Sequence, residues 1–345
     1  MRSDLQKITV RAFREDKMKK YDVAAIGELL IDFTQNGLSA QGNGLFEANP
    51  GGGPANMAAM LARLGKKCVY ITKVGADQFG ATLKAALDEV GIDSQYVAED
   101  PVIHTTLALV HTLEGGDRSF SFYRNPGADM MLVPEEVPDE IFPECRLLHF
   151  SSLTLTHEGV RAATHKAVRL AKENNMIVSF DPNLRPPLWD SLETAKEQIL
   201  WGISVCDILK ISDNEIQWLT GEDDFTEGVK WIRDRYDIPL ILVSMGPDGS
   251  RAYYKSSENY VEKAPFLRDD TIETTGAGDT FCACVVNYVL EHGLDDLTPA
   301  QLDEMLTFAN AAASIITTRK GALRVMPYKD EVEAFLNEYL VKITK

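Results

Sequence analysis

The stretch Glu273-Thr274-Thr275-Gly276-Ala277-Gly278-Asp279, followed by the run from Phe281 to Leu290, decides how this chain is read. The small residues at 276–278 make a turn whose backbone can approach a ligand closely. The run behind it is apolar except for Asn287 and predicts a buried helix. The first N–H groups of such a helix have no partner within it and point outward. That end favours an anion, by ~0.3–1 kcal/mol from the helix dipole at exposed sites. Asp279 in the first turn has two readings. As an ionised carboxylate it can accept a hydroxyl proton while the N–H groups hold developing phosphoryl charge. Equally, it can be a helix cap.

A second glycine turn, Gly51-Gly52-Gly53-Pro54-Ala55-Asn56, opens another helix with proline in its first turn. Asn56 stands where a dinucleotide fingerprint would have its last glycine, and no Gly-Lys-Ser/Thr follows as in a Walker A loop. A polar Asn at the mouth of a helix suits sugar hydroxyls, although a plain tight turn needs the same glycines.

Between and around these turns, short apolar runs alternate with amphipathic segments. Strands are predicted at 23–26, 68–73, 146–150, 176–180, 207–211 and 240–244. Met57, Met60, Leu61 and Leu64 recur at helical spacing before Gly65. Leu83, Ala86, Leu87 and Val90 do so between Asp77 and Gly91. Further helices are predicted near 157–174, 194–201, 213–220 and 226–235. This alternation means an α/β fold: a doubly wound, mostly parallel sheet with helices on both faces. The stretches 29–49 and 105–124 lack the helical period. The second alternates about a turn at Glu114-Gly115-Gly116-Asp117, so both are read as strands of a small accessory sheet. Such a sheet can be a lid that excludes water, or two surface hairpins.

Composition narrows the classes. The chain has 345 residues, with 35 Lys plus Arg against 52 Asp plus Glu, a net charge of −17. This argues against nucleic acid or an anionic membrane as partner, since both need a cationic face. No apolar run reaches the ~18 residues of a membrane span. Five cysteines are an odd number and too few for a disulfide framework, so a reducing, cytoplasmic setting is expected. No His or Cys spacing reads as a metal site. Residues 1–20 are mixed-charge with no apolar signal core and read as a disordered N-terminal extension, with Met18 an alternative start. Residues 21–345 read as one domain.

Gly52-Gly53-Pro54-Ala55-Asn56 and Thr274-Thr275-Gly276-Ala277-Gly278-Asp279, in that order, resemble the two signatures of the ribokinase-like (PfkB) carbohydrate kinases. Gly27-Glu28-Leu29-Leu30-Ile31-Asp32-Phe33, Arg118-Ser119-Phe120-Ser121-Phe122-Tyr123-Arg124 and Phe180-Asp181-Pro182-Asn183-Leu184-Arg185 resemble the fructokinase branch. Kinases of 2-keto-3-deoxygluconate share much of this pattern. The resemblance implies an ATP-dependent sugar kinase with a β-sheet lid, most simply one that converts fructose to fructose 6-phosphate. Alternatives are kinases of 2-keto-3-deoxygluconate, ribose or a nucleoside, or a catalytically silent sensor.

By that resemblance Asp279 is the catalytic base, and Gly276, Ala277 and Gly278 form its anion hole. Asp32, Gly52, Gly53 and Asn56 would bind sugar hydroxyls, with Arg124 and Arg185 as cations for substrate or phosphate. Ser244, Gly246, Gly249 and Asn310 would flank the nucleotide. Glu215 would order the waters of Mg2+, although Ser212 stands where the family pattern has Asn. Glu273 replaces the usual Asp, which in many relatives helps bind K+ beside the anion hole. Thr275, Arg319 and Gly321 complete the residues matching that cation site. A homodimer through the lid is expected, because an exposed edge strand needs cover.

Overall fold

Strand β1 (Tyr21–Ile26) shows why the sheet is covered on both faces. Val23 and Ala25 enter one apolar layer, while Ala24 and Ile26 enter the other. This is the two-residue repeat of a strand. Runs apolar on both sides are what a parallel sheet between two helical layers requires. The computed structural model describes residues 19–112 and 118–343. The predicted turn at 114–117 and the first 18 residues of the N-terminal arm lie outside the described residues.

In chain order the strands continue as β2 (Leu30–Leu38), β3 (Gly44–Gly51), β4 (Cys68–Gly75), β5 (Ile92–Asp100), β6 (Leu107–Thr112) and β7 (Arg118–Tyr123). They end with β8 (Cys145–Ser151), β9 (Ile177–Asp181), β10 (Ile208–Ser212), β11 (Leu240–Ser244), β12 (Ser250–Tyr254) and β13 (Tyr260–Lys263). The main sheet has the order β13-β12-β11-β10-β9-β8-β1-β4-β5, and the pairings from β11 through β5 are parallel. A second sheet, β3-β2-β6-β7, is built from the two stretches without helical period.

Helices α1 (Gly53–Arg63), α2 (Gln78–Val90), α7 (Ala277–His292) and α8 (Pro299–Ile316) cover one face. Helices α3 (Glu158–Glu173), α4 (Leu192–Val205), α5 (Asp213–Thr220) and α6 (Phe225–Arg233) cover the other. Helix α9 (Lys329–Ile343) packs on α8. None of the described helices is long and apolar enough to cross a membrane.

Local chemistry fixes the ends as expected. The Asp77 carboxylate accepts from the N–H of Gly80, and Gly91 ends α2 in the left-handed conformation. Helix α7 is buried on all sides from Thr280 to Leu290, and Cys282 and Cys284 are free, buried thiols within it. The strands missing from the sequence reading are β5, β12 and β13. All three lie at the margins of the main sheet, where polar residues such as Asp93, Gln95 and Glu262 break up the apolar runs.

Candidate active site

The parallel strands deliver their carboxyl ends to one edge of the sheet, where ligands of open α/β sheets bind. Glu28 follows β1, Asp181 ends β9, Lys210 lies near the end of β10, and Ser244 ends β11. Two cavities open along this edge, of about 810 Å³ and about 540 Å³. Both are lined by Thr271, Thr274 and Gly278, so they meet at the glycine turn of α7.

Gly276 caps α7 with φ of 78°, a left-handed conformation that a side chain resists. Asp279 is therefore held in the first turn, facing the larger cavity with Gly276 and Gly278. One of its oxygens, Oδ2, accepts from Asn56 Nδ2 at 2.9 Å. The two glycine turns, 223 residues apart in sequence, thus meet through this hydrogen bond. Withdrawal from water lifts the Asp279 carboxyl above its ordinary range, while Asn56, Lys210 and Arg185 pull it back. Asn56 Oδ1 is buried with no partner among the described residues. A buried acceptor costs free energy until a donor reaches it, and a sugar hydroxyl would supply one.

The larger cavity also holds Asp32, Gly52, Gly53, Arg185, Glu28, Asn183, Phe122 and Leu153. Gly52 has φ of 124°, and a Cβ there would lie 2.2 Å from the carbonyl oxygen of Glu28, so the turn requires glycine. Glu28 is buried. Its Oε1 accepts from Gly53 N–H at 2.7 Å and its Oε2 from Ser151 Oγ at 3.2 Å. Burial pushes Glu28 up to about 7, and does the same to Asp32.

The sign of the resulting pH dependence follows from Glu28. Between pH 4.5 and 7 the folded state keeps a proton that the unfolded chain has released, so stability falls as pH rises. In Glu28→Gln the acceptor for Gly53 remains but the titration is gone. The stability of Glu28→Gln relative to the unaltered chain should climb by about 1.4 kcal/mol per pH unit from pH 5 to 7, then level off. Denaturant melts across that range would show it, and a pH-independent difference would sink the assignment.

Arg124 does not join the cavity. Its side chain is buried in the joint between lid and body, where Nε donates to Asp129 Oδ2 at 2.8 Å, Nη1 to Thr156 Oγ1 at 2.9 Å and Nη2 to the Leu153 carbonyl at 3.0 Å. With all three nitrogens bonded to the protein and the side chain buried outside the cavity, this guanidinium does not face a substrate. Asp129 also accepts from Thr106 Oγ1, so the cluster pins both β6 and β7 at their body ends. Arg185 is exposed and lines the cavity, as the resemblance implied.

Beneath the glycine turn lies Lys210, a residue missing from the sequence reading. A Cβ on Gly278 would sit 3.2 Å from its Nζ. The ammonium pairs with Asp181 at 3.0 Å, and both are buried. Burial alone would lower Lys210, but Asp181 and Glu215 more than offset this and hold it above the usual lysine range. It is thus a fixed positive charge beneath the glycine turn of α7. A signal was present: Lys210 is the one charged residue within the apolar run Ile208 to Ile211.

Glu215 also lines the larger cavity. Its Oε2 accepts from Ser212 N at 2.8 Å and Ser212 Oγ at 2.9 Å, closing a capping box on α5, and Oε1 accepts from Leu184 N at 2.7 Å. Serine in place of asparagine is therefore a working helix cap. Among the described residues no group of three or more His, Cys, Asp or Glu could hold a metal directly. One lone pair on Oε1 remains after these bonds, which fits a carboxylate that holds a magnesium water rather than the ion.

The smaller cavity is lined by Ser244, Gly246, Gly249, Ala277 and Asn310, together with Pro265, Phe266 and Ala313. Asn310 spends its polar atoms on the protein. Oδ1 accepts from Ser250 Oγ at 2.8 Å, and Nδ2 donates to the carbonyls of Lys263 and Ala264 at 3.3 and 3.1 Å. It shapes the apolar slot by fixing the end of β13. Glu273 and Thr275 line the larger cavity, whereas Arg319 and Gly321 line neither. The Arg319 guanidinium turns away to the Val325 carbonyl and Glu331.

Two adjoining cavities, one polar and one mostly apolar, with a carboxylate and a helix N-terminus at their junction, are an arrangement suited to phosphoryl transfer. Comparison with known proteins agrees. The model of the pfkB family carbohydrate kinases matches residues 20–328. The chain is 39% identical to probable fructokinase-2 of Arabidopsis thaliana over 319 residues, 91% of this chain and 95% of the relative. It is similar to a fructokinase of Xylella fastidiosa with bound ATP, with a TM-score of 0.84, 29% identity and coverage of 92% and 98%. It is also similar to a double mutant of Vibrio cholerae fructokinase with bound fructose, ADP and potassium ion, with a TM-score of 0.83, 29% identity and coverage of 92% and 99%. On the strength of its two glycine turns, their meeting at Asp279 and this near full-length similarity, the chain belongs to the pfkB family of carbohydrate kinases.

Proposed function

We propose that this fructokinase-like sugar kinase transfers the γ-phosphoryl group of ATP to D-fructose, giving fructose 6-phosphate. The observation that carries the reading is Asp279 at the meeting point of the two cavities, with Oδ2 held by Asn56 and Oδ1 left for a hydroxyl proton. The sugar would sit among Asp32, Glu28, Asn56 and Asn183, and the adenine in the slot beside Phe266 and Asn310. The N–H groups at Gly276, Ala277 and Gly278, with Lys210 beneath them, would hold the charge of the transferred group. Mg2+, held through water at Glu215, would supply charge neutralisation on the phosphates. The lid would exclude water and so limit ATP hydrolysis.

Proton transfer then runs from the sugar hydroxyl to Asp279 as the oxygen attacks the γ-phosphorus and the bond from that phosphorus to the bridging oxygen breaks, leaving ADP. A half-buried carboxylate above its ordinary range is a better acceptor than a solvated one. The burial of Arg124 supports a neutral sugar over 2-keto-3-deoxygluconate, because one of the two arginines named for a sugar carboxylate is spent in the lid joint. The exposed Leu38, Phe46 and Tyr123 on the lid support pairing of two lids in a homodimer. Five buried free thiols support a reducing, cytoplasmic compartment.

The test is ADP release from ATP and Mg2+ with fructose, 2-keto-3-deoxygluconate, ribose and adenosine offered separately. Turnover on fructose well above the other three is expected. Turnover on the acid sugar alone would overturn the substrate and keep the base, and sugar-dependent thermal stabilisation without ADP would indicate a sensor.

A further inference from the structure

Glu273 is buried at the outer side of the anion-hole turn, facing the loop 317–322 that follows α8. The two segments are joined by direct hydrogen bonds. Ile272 N and Glu273 N both donate to the Thr317 carbonyl, at 2.8 and 3.0 Å. Both lone pairs of that oxygen are thereby used. Gly321 N donates to Glu273 Oε1 at 2.8 Å. Behind Gly321 lies the lid: a Cβ there would be 3.1 Å from Asn49 Oδ1, and Asn49 Nδ2 donates to Thr34 Oγ1 on β2.

The relative from Vibrio cholerae was solved with potassium ion bound. A monovalent cation needs a shell of oxygen lone pairs. At this junction Glu273 Oε1 meets an N–H donor, and the Thr317 carbonyl takes two more. An N–H directed at that oxygen occupies one position from which a cation would approach it, and carries positive charge of its own. The oxygen that Glu273 turns to the 317–322 loop is thus bonded to an N–H of that loop, and the two segments are joined directly.

We propose that Glu273 takes the place of a monovalent cation in this kinase: its charge-assisted hydrogen bond to Gly321 ties the anion-hole turn to the 317–322 loop, against which Asn49 of the lid lies, so nucleotide binding and turnover do not depend on K+. Such a bond is about twice as strong as one between neutral groups. The extra methylene is what makes the bridge. An aspartate at the same backbone position falls short by about 1.5 Å, one carbon–carbon bond, and leaves a gap between carboxylate and amide.

The experiment measures ADP affinity by calorimetry in tetramethylammonium chloride and in KCl at equal ionic strength, for the unaltered chain and for Glu273→Asp. The unaltered chain should bind ADP equally in both salts, to within about twofold. Glu273→Asp should bind at least about tenfold more weakly in tetramethylammonium than in KCl, a coupling typical of linked sites. Tightening of about tenfold by K+ in the unaltered chain would overturn the proposal. So would a Glu273→Asp variant that is equally indifferent to the salt. If that variant does not fold, the unaltered chain alone decides. ADP binding needs no sugar, so an error in the fructose assignment leaves this readout intact.

Discussion

Asp279→Asn should lower turnover by about 10²–10⁴-fold, the usual contribution of a positioned general base, while leaving the protein folded. The amide is nearly isosteric, and its oxygen can still accept from Asn56 Nδ2 in place of Oδ2. Its NH2 group would then face the sugar hydroxyl, offering a donor where the reaction needs an acceptor. Stability should hold or rise slightly, because the burial that lifts the Asp279 carboxyl no longer opposes a charge. Steady-state ADP release and thermal unfolding on the same preparation separate the two effects. A folded Asp279→Asn enzyme with near-normal turnover would refute Asp279 as base, and a collapse of stability would make its role structural.

Lys210→Met carries the second large effect, and it has two parts. Removing one member of a buried ion pair leaves the other uncompensated, which costs about 3–5 kcal/mol. Here the stranded group is Asp181, buried beneath the sheet edge. The second part is catalytic. Loss of a fixed positive charge under Gly278 should lower turnover by about 10²–10³-fold, as loss of an oxyanion-hole donor does elsewhere. The double variant Lys210→Met with Asp181→Asn distinguishes them. Neutralising the stranded carboxylate should restore most of the stability and little of the turnover. Recovery of both together would mean that Lys210 acts only as a structural counterion.

The lid joint shows where residue type alone misleads. Arg124 follows an alternating strand and a run of aromatic residues, the surroundings of a substrate-facing cation as much as of a buried one. Its fate depends on Asp129, Leu153 and Thr156, which approach it only when the chain folds back from the body. Asn310 gives the opposite lesson. The resemblance implied a place beside the nucleotide, and Asn310 does line the smaller cavity, but its polar atoms there bond Ser250, Lys263 and Ala264.

What the sequence determined by itself is what local chemistry determines. The glycine turns at 51–53 and 276–278 require backbone geometry that side chains resist, and the apolar runs can only be buried strands or a buried helix. Their alternation left one sheet architecture, and the residue types at 56 and 279 already had the right chemistry for a sugar and a phosphoryl group. Only the tertiary structure decided which charged groups face the cavity and which are consumed in holding it. Lys210 and Asp181 come from different strands, Glu28 follows β1 whereas Ser151 ends β8, and Glu273 meets Gly321 across 48 residues. The physical reason is that a buried polar group is governed by its partners, and partners brought together by strand crossovers leave no periodic trace along the chain.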